Sequence, residues 1–376
     1  MIDQIALVNP EVMLILSGGE PLLRSDIFDV SAYASKKGMM VVLGSNGTFI
    51  DDEVARRLIH SGVSGISISL DSMQHEIHDA IRSRPGAWEQ AVSAIASCNQ
   101  AGLSVQINTV VTQNNCKEIP ALIEYSHSLG AKVYSPFFLV CTGRGEELTD
   151  ISPRQYEQVL SLITESQKRY KDMMIRTRCA PTIRRILHQK NPASRLLKMG
   201  TGRCLAGLSY CRITPEGNVT PCPYMSLLAG NVREREFGDI WKNSTIFKSL
   251  RNAELQGKCK ECEFRLLCGG CRARAYASTG DYLAEDPWCE YVPKGGSIIK
   301  SPVLGEEVNM KKSSVKAPIW TEEAEERLKR VPSFVRNMVR MSIERYAMQN
   351  NVSEITPALM EEVKRRSGMG GMHGHQ

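Results

Sequence analysis

The chain has 376 residues, 42% of them hydrophobic and 23% charged, with a net charge of +6. That balance suits two to three soluble globular domains, and its basic residues are interspersed with acidic ones, which excludes the concentrated footprint of a nucleic-acid-binding protein. No run of about 18 apolar residues offers a membrane span, and the N-terminus lacks a secretory signal, so the expected location is cytoplasmic.

Residues 1–150 alternate short β-rich runs with amphipathic helical stretches. Strands are expected at 12–16, 40–45, 65–70, 104–111 and 132–138. Helical patterns at 52–61 and 88–101 stop at Gly62 and Gly102, residues suited to the left-handed position after a helix. Repeated βα units with near-continuous apolar strands predict the α/β class, a parallel sheet covered by helices, open or closed into a barrel. Functional side chains should then lie at the carboxyl ends of the strands. Short polar residues occupy those ends: Ser17-Gly18-Gly19-Glu20-Pro21, Ser45-Asn46-Gly47-Thr48, Ser69-Leu70-Asp71 and Asn108-Thr109. Four polar rims on consecutive strands describe one pocket.

Residues 151–200 read as a helical connection, with helices at 153–169 and 194–199. Eight of the twelve cysteines then fall in residues 204–289, spaced as Cys204-x6-Cys211, Gly217-x4-Cys222, Cys259-x2-Cys262-x5-Cys268-x2-Cys271 and a trailing Cys289. In a reducing compartment such clustering points to metal ligands, and eight thiolates make two four-ligand shells. Residues 201–292 are therefore a module in which metal binding replaces a large core. Residues 293–318 read as a linker. Thr321 can cap a helix with Glu322 and Glu323 in its first turn, and Pro332 begins a second, giving a small helical domain at 319–368 and a disordered tail at 369–376. Among the other thiols, Cys98 reads as a buried small hydrophobe and Cys116 and Cys179 as ordinary structural residues; Cys141 follows the fifth strand on the pocket side.

Together these motifs resemble the radical SAM enzymes that carry a cysteine-rich SPASM extension, over nearly all of residues 10–292. The resemblance implies a partial (βα)6 TIM-like barrel lacking its first strand, followed by an iron-sulfur domain. It implies S-adenosylmethionine as cofactor, with Gly18, Gly19 and Glu20 at the methionine moiety, Ser69 and Asp71 at the ribose, and Asn46, Arg82 and Asn108 nearby. The family's pattern assigns Cys204, Cys211, Cys222 and Cys271 to one auxiliary [4Fe-4S] cluster and Cys259, Cys262, Cys268 and Cys289 to a second. Two zinc ribbons would use the same thiolates without redox function. The family's Cys-x3-Cys-x2-Cys run, which precedes Gly-Gly-Glu-Pro, has no counterpart here, the first cysteine being Cys98. A third [4Fe-4S] cluster is therefore expected only in a full-length form, with this shorter chain inactive for radical generation.

The tail resembles the small C-terminal domain of the light-independent protochlorophyllide reductase subunit through Trp320, Glu323-Ala324, Leu328, Val331-Pro332, Arg340 and Glu344-Arg345-Tyr346-Ala347. Joined to a SPASM-type enzyme, it is similar to the alternative haem and haem d1 biosynthesis branch. That likeness implies radical modification or decarboxylation of the propionates of a tetrapyrrole, carboxylates that Arg82 and Arg144 can pair, and an electron donor such as a ferredoxin or flavodoxin. The alternatives are a peptide-maturing radical enzyme and a non-catalytic metal-bound scaffold or electron carrier.

Overall fold

The computed structural model describes residues 1–140, 151–198, 203–299, 318–331 and 352–366, with residues 336, 339, 340, 343, 344, 346, 347 and 350 between the last two. Cys141, Arg144, most of the expected linker and the expected disordered tail lie outside the described residues. Six strands, β1 (Met13–Leu16), β2 (Met40–Ser45), β3 (Val63–Ser69), β4 (Ser104–Val111), β5 (Val133–Phe138) and β6 (Met174–Ile175), form one parallel sheet in chain order. Sequential parallel strands, each returning through a helix, give the winding of a partial TIM-type barrel. Five of these strands lie where the apolar runs place them. β3 begins two residues earlier than expected, because Val63 pairs with Val41 ahead of an irregularity in the ladder.

Strand β4 shows how the sequence sorts its faces. Val105, Ile107, Thr109 and Val111 are buried, while Ser104, Gln106, Asn108 and Val110 are only half-buried. Period-two alternation puts the first set under the helices and the second on the inner face. The covering helices are α1 (Ile2–Val8), α2 (Ile27–Lys36), α3 (Asp52–His60), α4 (His75–Arg82), α5 (Ala87–Ala101), α6 (Ile119–Ser128), α7 (Pro153–Arg169) and α8 (Ile183–Lys190). Asp51 caps α3 by accepting from Val54 N at 2.8 Å, and Ser152 with Gln155 forms a reciprocal capping box at α7. After α3 the chain reverses at Gly62, φ +80°, where a Cβ would stand 2.4 Å from Ser35 Oγ. Cys98 on α5 is fully buried, as its apolar setting predicts.

The cysteine-rich half carries a three-stranded antiparallel sheet, β7 (Arg212–Ile213), β8 (Asn218–Thr220) and β9 (Gly230–Asn231), with helices α9 (Phe237–Asn243), α10 (Thr245–Arg251), α11 (Gly257–Glu261) and α12 (Arg272–Thr279). It is tied to the start of the chain: α1 packs on α9, and Gln4 Oε1 accepts from Phe237 N at 3.0 Å. In the tail, Thr321 caps the helix Glu322–Lys329 by accepting from Ala324 N. Ala324, Leu328, Ile343, Ala347, Ile355, Met360 and Val363 pack as a separate small core. No helix among the described residues is long and apolar enough to cross a membrane.

Between the barrel and the cysteine-rich half lies one buried ion pair. Arg274 on α12 and Asp286 sit 3.1 Å apart with side chains 3% and 0% exposed. Asp286 also accepts from Cys271 N at 2.7 Å and Trp288 N at 3.2 Å, and Arg274 donates to Cys179 O at 2.8 Å. The guanidinium stacks 3.9 Å from the Trp288 ring centroid and 5.1 Å from that of Tyr156 on α7. Burial opposes the charge on Arg274; the Asp286 carboxylate overrides it and raises the guanidinium pKa. Removing one member of such a pair strands the other charge. Asp286→Ala is therefore expected to destabilise the protein by about 3–5 kcal/mol, read as a shift of the urea unfolding transition relative to wild type.

Candidate cofactor and cluster site

A wide groove follows the inner face and the carboxyl ends of the sheet, and Gly18, Gly19, Asn46, Ser69, Arg82 and Asn108 all line it. At Gly18 and Gly19 nothing lies within 4 Å of where a Cβ would stand. Bare backbone facing open space lets a ligand approach main-chain polar groups directly. Asn46 is held in place as its Oδ1 accepts from Thr48 N at 2.9 Å and Thr48 Oγ1 at 2.8 Å. Asn108 Oδ1 accepts from Gln106 Nε2 at 2.7 Å, and Gln106 Oε1 accepts from Arg176 Nη2 at 2.7 Å, a polar chain running across the inner face.

Two of the expected ligand-contacting carboxylates stand behind this rim. Glu20 accepts from Ser45 Oγ at 2.9 Å, Asn46 N at 2.8 Å and Leu22 N at 3.2 Å. Its charge fixes the ends of β1 and β2 against each other. Asp71 is fully buried; it accepts from Val110 N at 2.8 Å and from Arg82 Nε at 2.6 Å, and its Oδ2 lies 2.5 Å from Arg82 Nη2. Asp71 N donates to His78 Nδ1 at 3.0 Å, and Asn115 Nδ2 donates to Asp71 O at 2.6 Å. Burial holds the His78 pKa below its ordinary value, in keeping with a neutral ring that accepts at Nδ1. Asp71 thus joins β3, β4 and α4, and Arg82, read from sequence as a propionate partner, is already neutralised by it.

The cysteines fall into two groups. Cys259, Cys262, Cys268 and Cys289 line one small cavity together with Arg185 and Lys258. Cys204, Cys222 and Cys271 pack into a common cluster that also contains Cys179. The Cys179 and Cys204 thiols hydrogen-bond to the Cys271 sulfur, which lowers the Cys271 pKa well below its ordinary value. Burial pushes Cys222 and Cys268 up to about 12. Cys211 is half-buried against the main core and lines the same groove. Among the described residues no three His, Cys, Asp or Glu side chains converge as ligands of one ion would. A four-iron cubane takes each thiolate on a separate iron and spreads them wider, so two packed groups of thiols suit it. Loading requires those buried thiols to lose their protons.

Sequence reasoning passed over three further basic residues of the groove, Arg176, Arg178 and Arg203. Arg176 and Arg178 extend the line of β6, whose backbone follows β5 through Arg176 N to Tyr134 O at 3.0 Å and Arg178 N to Pro136 O at 2.9 Å. Both guanidiniums line the groove, as does Arg203 beside Cys204. The available signal was the alternation Arg176-Thr177-Arg178, two cations on one face of an extended segment.

Comparison with known proteins gives three family matches. Residues 2–125 match the radical SAM superfamily, residues 204–263 an iron-sulfur cluster-binding domain, and residues 320–364 the proto-chlorophyllide reductase 57 kD subunit. The chain is 42% identical over 301 residues to the AdoMet-dependent heme synthase of Methanosarcina barkeri, covering 78% of this chain and 86% of that one. To the protein of the same name from Nitratidesulfovibrio vulgaris it is 39% identical, covering 76% and 80%. The structure of Streptococcus suis SuiB bound to precursor peptide SuiA superposes with a TM-score of 0.62 at 16% identity, over 77% of this chain and 69% of that one, a likeness of fold.

The role found for Glu20 has a measurable consequence. Hydrogen bonds to a charged group contribute about 1.5–3 kcal/mol each, so Glu20→Ala should speed amide exchange at Asn46 roughly ten- to a hundredfold. Hydrogen-exchange mass spectrometry of the β2 end checks this.

Proposed function

Because the chain belongs to the radical SAM enzymes that carry a SPASM iron-sulfur module, we propose that it acts in haem-type tetrapyrrole biosynthesis, by radical modification or decarboxylation of propionate side chains. One observation carries the reading. The groove that presents Gly18, Gly19, Ser69 and Asn108 at the strand ends is also lined by Cys179, Cys204, Cys222 and Cys271. A cofactor on the barrel rim and a cluster on the thiol group would therefore address one shared space. When bound, S-adenosylmethionine supplies hydrogen-atom abstraction, and the iron-sulfur clusters supply a path for electrons.

This chain's residues have simpler tasks in that scheme. Gly18 and Gly19 admit the methionine moiety to the backbone, while Ser69, Asn46 and Asn108 offer hydrogen bonds along the remainder of the cofactor. Glu20 and Asp71 hold the rim rigid from behind. Cys204, Cys222 and Cys271 bind one auxiliary [4Fe-4S] cluster; Cys259, Cys262, Cys268 and Cys289 bind the other. The 376 residues contain no Cys-x3-Cys-x2-Cys run, so on this reading they do not themselves hold the cluster that cleaves S-adenosylmethionine. A small electron carrier such as a ferredoxin or flavodoxin exchanges electrons with the clusters. The 42% and 39% identity to heme synthases supports the tetrapyrrole substrate over the peptide reading, whose relatives, a PqqA peptide cyclase and the mycofactocin maturase MftC, are 27% and 30% identical.

Anaerobic reconstitution followed by metal analysis and ligand titration tests the proposal. About eight irons per chain are expected, falling to about four in Cys268→Ala, together with uptake of iron-coproporphyrin seen as a shift of its Soret band. Gly19→Val should weaken S-adenosylmethionine binding at least about tenfold, ~1.4 kcal/mol, by filling the space over the backbone. Zinc in place of iron, or no response to either ligand, would overturn the reading.

A further inference from the structure

The groove contains positive charge that no carboxylate among the described residues answers. Arg176 spends one nitrogen on Gln106, and its Nε is buried without a hydrogen-bond partner; Arg203 Nε is likewise buried and unpartnered. Neither these two nor Arg178 forms an ion pair with a carboxylate among the described residues. Residues 176 and 178 stand about 7 Å apart along an extended segment and project to the same side. Burial, together with the nearby Arg178 charge, pushes Arg176 down to about 9. Two neighbouring half-buried cations with no acid among the described residues are a costly arrangement unless an anion arrives to meet them. Phe137 pairs with Arg178 across the sheet edge and Tyr210 lies near it, and Ile213 and Tyr224 line the same groove.

We propose that Arg176 and Arg178 form a receptor for two carboxylates carried on one flat apolar ligand, with Arg203 available to a third. Planar guanidinium forks match carboxylates in two-point contacts, and a porphyrin bearing propionates presents several carboxylates at the edge of an apolar disc. This rests on the tetrapyrrole reading above and sharpens it. It moves the recognition of propionates from Arg82, which Asp71 already neutralises, to the far side of the groove beside the thiol cluster. There a propionate held by Arg178 lies next to the sulfurs of Cys179 and Cys271.

The test is titration of the anaerobically reconstituted chain with iron-coproporphyrin and, separately, with S-adenosylmethionine, for wild type, Arg176→Gln, Arg178→Gln and Arg178→Lys. Each Gln variant should lose about ten- to a hundredfold in porphyrin affinity, the Lys variant less, and S-adenosylmethionine affinity should be unchanged in all. Equal porphyrin binding by wild type and Gln variants overturns the receptor while leaving the tetrapyrrole reading intact. So does a loss confined to S-adenosylmethionine, which would make the arginines partners of its own carboxylate. A wild-type chain that takes up no porphyrin overturns the functional reading itself.

A different observation carries a second inference. Cys179 holds a left-handed backbone, φ +56°, one of two non-glycine residues with positive φ among those described. Its carbonyl accepts from the buried Arg274, and it packs in one cluster with Cys204, Cys222 and Cys271, whereas Cys211 packs against the main core. Strain held by a buried ion pair marks a side chain whose direction matters. We infer that Cys179 supplies the fourth thiolate of the cluster held by Cys204, Cys222 and Cys271, in the place that the family's spacing gives to Cys211. Iron content and electron paramagnetic resonance after anaerobic reconstitution decide it. Cys179→Ala should drop from about eight irons to about four and lose one cluster signal, with Cys211→Ala close to wild type. The reverse result overturns the assignment, whereas an iron-free wild type overturns the cluster reading.

Discussion

The Arg274–Asp286 pair is the constraint on which the rest of the arrangement depends. It is almost wholly shielded from water, so its energy lies in its many partners: the carboxylate is met by a guanidinium and two backbone amides, the guanidinium by a carboxylate, a carbonyl and two aromatic faces, with only its Nε left over. Those contacts come from different parts of the chain. Cys179 follows the last barrel strand, Cys271 belongs to the first thiol group, Trp288 precedes the last thiol of the second group, and Tyr156 lies on a barrel helix. One ion pair thus sets the relation among the barrel, both thiol groups and the groove. A buried charge satisfied by many partners gains specificity more than stability, and specificity is what a multi-site enzyme needs from it.

The barrel rim applies the same logic on a smaller scale. Glu20 and Asp71 are charged residues at strand ends, yet each spends its charge on the scaffold: Glu20 on the turn after β2, Asp71 on β4 and α4. What faces the groove is backbone at Gly18 and Gly19 and neutral side chains at Asn46, Ser69 and Asn108. Rigid posts behind a neutral rim suit a zwitterionic, positively charged cofactor, because the rim can hydrogen-bond to it without having to be desolvated as an ion.

Much of this was legible in the residues alone. Five strands, the glycine stops and the capped tail helix follow from periodicity and from backbone rules that act over a few residues. β6 was missed because it is two residues long and flanked by arginines, so its membership comes from hydrogen bonds to β5 and not from an apolar run. At the site, sequence showed which residues gather at the strand ends but not which way a carboxylate turns. Glu20 and Asp71 each have ligand-facing and scaffold-facing solutions of similar local chemistry, and neighbours 11 to 39 residues away choose between them. Cys179 was invisible for a related reason. Spacing rules see thiols on one turn, and its companions begin 25 positions later at Cys204.

The contact between Gln4 and Phe237 spans 233 positions. A ribosome adding roughly 5–20 residues per second completes α9 only some ten to fifty seconds after α1 has emerged. Throughout that interval the apolar side of α1, centred on Ile5, waits without its companion surface. Vectorial synthesis therefore separates α1 from its companion surface by that interval, and slowed elongation lengthens the separation in direct proportion.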